Sequence, residues 1–287
     1  MSVLYSAFIA TIRRELRDLD YLGDDKFNGD GTTVLFPLLH RPIKTNSYVV
    51  TVDGVVKTIN VDYTIDTDTG FLTLVVAPAN LKVVEVTYRY QKMSDQEYID
   101  AINDAIDRWR WKLWKDVLDS TTFTTVKNQY EYDLSTLTGI LYVVNAWLQP
   151  ASGSTEFQAI SGITNYQYMV AQQKLAVNPT FDVAGLKLKF RYLKALTKGS
   201  AVTDTLDILP EWYAPFKMYV KGVFFDRLVP EKIFETGAVT TIPTFTPAQL
   251  AYQMSTSYIQ QADILVNRIA PRMPNLLITN RMDGVTL

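Results

Sequence analysis

Residues 93–119 read MSDQEYIDAINDAIDRWRWKLWKDVLD, and how this stretch folds decides how the rest of the chain is arranged. Ser94-Asp95-Gln96-Glu97 has the form of a capping box, with the Ser94 hydroxyl accepting from the Glu97 amide and the Glu97 carboxylate accepting from the Ser94 amide. A helix therefore starts here. Tyr98, Ile102, Ala105, Trp109 and Leu113 recur at steps of three and four, and Ile99, Ile106, Trp114, Val117 and Leu118 widen the stripe. The other positions are acidic early (Asp100, Asp104, Asp107) and basic late (Arg108, Arg110, Lys112, Lys115), as the helix macrodipole favours. The spacing predicts one amphipathic helix over 93–119, close to 40 Å long at ~1.5 Å per residue. Such a helix needs helical partners.

Three candidate partners lie outward from it. Ser2 to Leu19 places Leu4, Phe8, Ile12, Leu16 and Leu19 on one face, with Arg13, Arg14 and Arg17 away from it. Pro210 suits a first helical position, and Trp212, Phe216, Tyr219, Val220, Val223 and Phe224 form a stripe that Pro230 is expected to stop. Thr246-Pro247-Ala248-Gln249 gives another capping box, and its helix is expected to reach about Ala270. Between the helices the apolar period changes to two. Gly23 to Gly31 reads as turn chemistry, followed by strands at 33–38, 48–52, 55–59, 63–66, 71–76 and 83–90. Asp53-Gly54 has the composition of a hairpin turn that needs positive φ. Further strands are expected at 121–125, 129–133, 141–148, 174–177 and 186–192, with a short helix over 166–173 and a polar loop or small hairpin over 236–245.

The fold class expected from these pieces is α+β. A helical-bundle core would be assembled from 1–25, 93–119 and 208–270, with a β-sheet insertion at 26–92 and a second β-rich region at 120–207. The segment 271–287 follows as an extended C-terminal arm without helical period, carrying Pro271, Pro274 and the apolar triplet Leu276-Leu277-Ile278.

Composition narrows the function. A net charge of −2 is unlike a surface built to neutralise nucleic-acid phosphates. With no cysteine and one histidine, disulfide frameworks, thiolate metal sites, thiol nucleophiles and histidine triads are unavailable. No run approaches the ~18 apolar residues of a membrane span, and no basic leader precedes the first apolar residues, so a soluble, untargeted chain is expected.

The order of the pieces resembles the head-tail adaptor (connector) proteins of tailed bacteriophages. Three stretches carry the resemblance. The first is the β module, with Phe27-Asn28-Gly29-Asp30-Gly31, Val50-Thr51-Val52-Asp53-Gly54, Asp62-Tyr63-Thr64-Ile65-Asp66, Thr69-Gly70-Phe71-Leu72-Thr73-Leu74 and Val84-Glu85-Val86-Thr87-Tyr88. The second is the Trp-containing helix from Ser94 to Trp114, and the third is Leu186 to Tyr192 followed by Leu206-Asp207-Ile208-Leu209-Pro210-Glu211. The resemblance implies a non-enzymatic virion protein of the neck, assembled in the cytoplasm of the bacterial host. It implies a homo-oligomeric ring, a dodecamer matching the portal vertex, that extends the DNA channel and joins the capsid to the tail. Its partners would be the portal protein and the next neck or tail protein, a stopper or tail terminator, with DNA passing through without tight binding. A tail fibre or baseplate attachment protein is the alternative, because the β module also occurs there.

Residues with chemical potential have structural readings too. Asp62, Asp66 and Asp68 near Gly70 lack the EF-hand order and are expected to cap a hairpin; no metal site and no cofactor is assigned. His40 has no partner placed by motif, and Glu15, Glu97, Asp204 and Asp207 have no spacing that sets a glycosidase pair. Trp109 and Trp114 lie on the apolar stripe, whereas Trp111 lies off it and is the interface candidate. The Arg13, Arg14, Arg17 cluster is expected on a solvated or inter-subunit face rather than on DNA. Partner binding is assigned to Trp111 and, in the C-terminal arm, to Pro271, Arg272, Met273, Leu276, Leu277 and Ile278.

Overall fold

A computed structural model describes residues 3–160, 165–178, 180–235 and 247–270. The chain opens with β1 (Val3–Leu4) and α1 (Tyr5–Leu16), then β2 (Tyr21–Asn28), β3 (Leu35–Pro37), β4 (Val49–Val52), β5 (Val55–Val56), β6 (Tyr63–Asp66), β7 (Phe71–Leu74) and β8 (Val83–Tyr90). After α2 (Asp95–Arg108) come β9 (Trp114–Thr124), β10 (Glu131–Asp133), β11 (Ile140–Leu148), β12 (Gln158–Ala159), β13 (Asn165–Met169), β14 (Lys174–Asn178), β15 (Lys187–Ala195) and β16 (Thr205–Leu206). Two long helices follow, α3 (Tyr213–Glu235) and α4 (Pro247–Ile269).

The helical-bundle core expected from the sequence is overturned. Among the described residues four α-helices accompany sixteen strands in five sheets, a β-rich mixed fold whose ladders are all antiparallel. The physical cause lies in residues 93–119. The capping box forms as drawn, with Glu97 N donating to Ser94 Oγ at 3.2 Å and Ser94 N to Glu97 Oε2 at 2.6 Å. The helix then ends at Arg108, so it spans about 21 Å at 1.5 Å per residue. Arg110 N donates to Asp107 O and Leu113 N to Trp109 O, tightening the chain into turns. From Trp114 it is extended, with Trp114 beside Ala195 and Val117 beside Tyr192. Val117 and the threonines at 121, 122 and 124 suit a pleated strand, and cross-strand pairing outweighs the helical spacing of the apolar residues. Leu118, which the stripe would have buried, is exposed.

Other boundaries shift for similar reasons. β2 occupies part of what reads as turn sequence and pairs with the whole of β8, from Tyr21 opposite Tyr90 to Asn28 opposite Val83. Leu4 and Leu19 fall outside α1 and are exposed. Where a short helix was expected over 166–173, residues 166–169 are strand and 170–172 form one turn of 3-10 helix. The α3 helix continues through position 230, because packing along its length outweighs the roughly 3 kcal/mol penalty of an interior proline. The loop at 236–245 and the arm at 271–287 lie outside the described residues.

Each region has its own apolar cluster. Tyr5, Phe8 and Ile12 of α1, Tyr98, Ile102 and Trp109 around α2, Phe216 and Val220 of α3 and Ala262 and Val266 of α4 bury against one another. The sheets β2-β8-β4-β5 and β3-β7-β6 enclose Phe36, Val50, Tyr63, Leu72, Val84, Val86 and Tyr88. The sheets β12-β11-β15-β9 and β10-β14-β13 enclose Tyr132, Leu175, Leu188 and Phe190. Gly222 marks a close approach of α3 to α4: a Cβ there would lie 2.6 Å from Ile259 Cγ1 and 3.0 Å from Ser255 O.

A buried polar joint ties α1 to α2 and to the first two-sheet module. Arg13, expected on a solvated or inter-subunit face, is 9% exposed. Its guanidinium donates to Asp18 Oδ2 (2.9 Å), Asp95 Oδ1 (2.8 Å) and Met93 O (2.9 Å), and lies over the Tyr98 ring. Asp18 also accepts from Tyr98 OH and, after β8, from Lys92 N. The Arg13 and Asp18 charges are both paired and hydrogen-bonded, as buried charge requires.

Candidate assembly interface

The end of α2 sorts its two neighbouring tryptophans. Trp109, at the helix C-terminus, is 1% exposed and stands edge-on to Phe216 (5.2 Å) and Tyr219 (5.5 Å). Its Nε1 donates to Asp263 Oδ1 at 2.9 Å, and Arg108 Nε donates to the same carboxylate at 3.0 Å, so α2 is tied to α4. The Arg108 guanidinium, followed by the Trp109 indole, holds the Asp263 carboxyl below its ordinary value. Trp111, in the turn that follows, is 57% exposed, and only the Arg110 guanidinium, 5.9 Å from its ring centre, accompanies it among the described aromatic contacts. The indole at 111 is thus available to a partner.

Exposed apolar side chains concentrate elsewhere. Of twenty-three large hydrophobic side chains exposed among the described residues, fourteen fall between Leu19 and Leu81, which locates the excess on the two-sheet module. Scattered exposed leucines and valines are ordinary; a concentration marks a contact surface. Several are contiguous along the chain path. Edge strand β5 exposes Val55 and Val56, and the connection to β6 exposes Ile59 and Val61. Val75 N donates to Asp62 O at 2.8 Å, which brings exposed Val75 and Val76 beside that connection. Leu35 and Phe71 are exposed on the outer face of β3 and β7, opposite the face that buries Phe36 and Leu72. The sequence alternation identified the strands, but it did not show that their outward positions would remain apolar.

The carboxylates with chemical potential serve local geometry. Asp66 accepts from Asp68 N (3.0 Å) and Thr69 N (3.1 Å), and Asp62 accepts from Thr58 N (2.8 Å). Asp30 accepts from the Thr33 hydroxyl and from the Thr32 and Thr33 amides, which holds it well below the usual carboxylate range. Glu15 pairs with Lys217 and Lys221, Glu97 with Arg227, and Asp207 with Lys115. Asp204 caps the turn at Ser200 and Ala201. His40 stacks on Tyr90 with ring centres 4.2 Å apart, and its backbone amide donates to Tyr88 OH. Among the described residues no group of three or more His, Asp or Glu side chains is placed to hold a metal ion, and no helix is long and apolar enough to cross a membrane. Pro271, Arg272, Met273, Leu276, Leu277 and Ile278 lie outside the described residues.

No family model matches the chain, and no curated protein matches it.

Proposed function

We propose that this chain is a structural virion protein, a head-tail adaptor that forms a ring under the portal, extends the DNA channel and joins the capsid to the tail. The observation that carries this reading is the concentration of exposed aliphatic side chains on the two-sheet module, which a virion subunit would cover with a neighbour. The local use of the carboxylates supports a non-enzymatic role. The proposed partners are further copies of the chain in a dodecameric ring, the portal protein, and a stopper or tail terminator. Trp111 and the arm residues Pro271, Arg272, Met273, Leu276, Leu277 and Ile278 are proposed partner contacts. The near-neutral net charge suits a channel that lets DNA pass without holding it. Assembly would occur in the host cytoplasm, with the finished protein in the virion neck.

The predominance of strands favours a second reading, a β-rich tail fibre or baseplate attachment protein. Negative-stain imaging of the purified chain separates the two. A ring with an open channel supports the adaptor; a trimeric rod supports the fibre and overturns the first reading.

A further inference from the structure

We infer that the open edge of β9, with the cleft at its first residues, receives residues 271–287 of a second copy of this chain as an added strand. The inference rests on the assembly role proposed for that arm and names its docking site.

Among the described residues β9 is the last strand of its sheet and, at eleven residues, about twice an average strand. An exposed edge of that length presents unpaired backbone groups and templates another strand unless it is blocked. Two of the usual blocks are weak here: β9 contains no proline, and Lys115 is paired with Asp207 and Asp116 with Arg191. A register irregularity between Asp119 and Phe123 divides the edge, so the regular template is Trp114 to Asp119, where Leu118 is exposed. At the start of β9 lies a cleft of about 550 Å³, walled by Trp114, Leu209, Trp212 and Ile269 and rimmed by Lys115, Asp116 and Glu211. Among the described residues Glu211 has no ion-pair partner.

The arm has the complementary chemistry. Leu276-Leu277-Ile278 supplies apolar side chains for the indole-lined wall, and Arg272 and Arg281 flank that triplet with positive charge for the Glu211 carboxylate. Strand addition of this kind takes affinity from main-chain hydrogen bonds and specificity from side-chain pockets.

Direction favours a second copy over the arm's own chain. α4 ends at Ile269, in the wall of the cleft beside the first residues of β9. An arm starting there and following its own β9 would run parallel to it, whereas every named ladder in the described residues is antiparallel. An arm from a neighbour can enter from the far end of β9 and pair antiparallel, the slightly more stable arrangement. Seventeen extended residues reach about 56 Å at ~3.3 Å each, on the order of the diameter of a chain this size.

The chain has no cysteine, so introduced thiols report cleanly. Full-length Leu118→Cys and mass-tagged full-length Leu277→Cys chains are mixed and treated with a short bis-maleimide. The expected result is a mixed adduct at least tenfold more abundant than with Leu250→Cys, an exposed α4 position, in place of Leu118→Cys. Adding Leu276→Asp and Ile278→Asp to the arm should reduce the adduct about tenfold. Two results overturn the inference: an adduct no more abundant than the Leu250→Cys control, or dilution-independent closure within a chain carrying both cysteines in place of the mixed adduct. Because the readout needs neither heads nor portal, rings imaged without the adduct would sink the docking site alone. The adduct without rings would leave the docking site standing and count against the adaptor reading.

Discussion

The helices and the first two-sheet module handle apolar surface in opposite ways. The helices turn most of their large side chains inward, with Leu250, Tyr252 and Ile264 of α4 the exposed ones among the described residues, and their outer positions carry ion pairs such as Arg108 with Asp263 and Lys217 with Glu15. The module buries a smaller set between its sheets and leaves aliphatic side chains on the outside as well. A region that has already buried its apolar surface is specified by its own packing. A region that keeps apolar surface exposed at Val55, Val56, Val75 and Val76 is unfinished until something covers it. The difference predicts that substitutions among the helices change stability, whereas substitutions on the outer module surface change assembly.

The largest stability effect is expected at Trp109. Trp109→Ala should cost roughly 3–5 kcal/mol in denaturant unfolding, because it empties a site between α2, α3 and α4 and removes the indole hydrogen bond to Asp263. Trp111→Ala should stay within about 0.5 kcal/mol of wild type and weaken assembly. Equal shifts of the unfolding midpoint would break the contrast. Gly222→Ala should cost about 1–3 kcal/mol, since the new methyl group meets Ile259 and the Ser255 carbonyl where α3 and α4 touch. An unchanged melting temperature would mean that the helices are packed more loosely there. Ser94→Ala should cost about 1 kcal/mol by removing one half of the capping box, a loss measurable by circular dichroism during urea unfolding.

A smaller effect is expected from pH. The Asp263 carboxyl is held below its ordinary value of 3.8, chiefly by Arg108. The carboxyl is therefore more acidic folded than unfolded, and its contribution is present above about pH 4 and lost as pH falls through the folded value. The side chain is 30% exposed and water screens part of the interaction, so Asp263→Asn should flatten the acid limb of the stability curve only modestly. An identical acid limb in the variant would remove Asp263 from the joint.

Local signals were the legible part of the fold. The Ser94 capping box, the strands at 63–66 and 83–90 and the start of α4 at Pro247 follow from side chains within a few residues of one another. The expected helical-bundle core was a misreading, because it depended on taking Leu113 to Asp119 as helix. Those residues carry a helical stripe and a strand composition together, and only pairing with β15, some seventy residues later, decides between them. Arg13 misled for the same reason: its partners Asp95 and Met93 lie about eighty residues away. At the candidate interface Trp111 is exposed as expected, but in the turn after α2 rather than on the outer face of a helix. The apolar exterior of the module was not legible, since alternation reports which residues share a face and not which face meets solvent.

The contrast between the two regions is tested most directly by a fourfold variant of the module surface, Val55→Lys, Val56→Lys, Val75→Lys and Val76→Lys, assayed for joining purified heads to tails in vitro. These side chains are exposed, so the variant should unfold within a few degrees of the wild-type melting temperature. The predicted result is a folded protein with joining reduced at least tenfold. A folded variant that joins heads to tails at the wild-type rate would contradict the assembly role of the module.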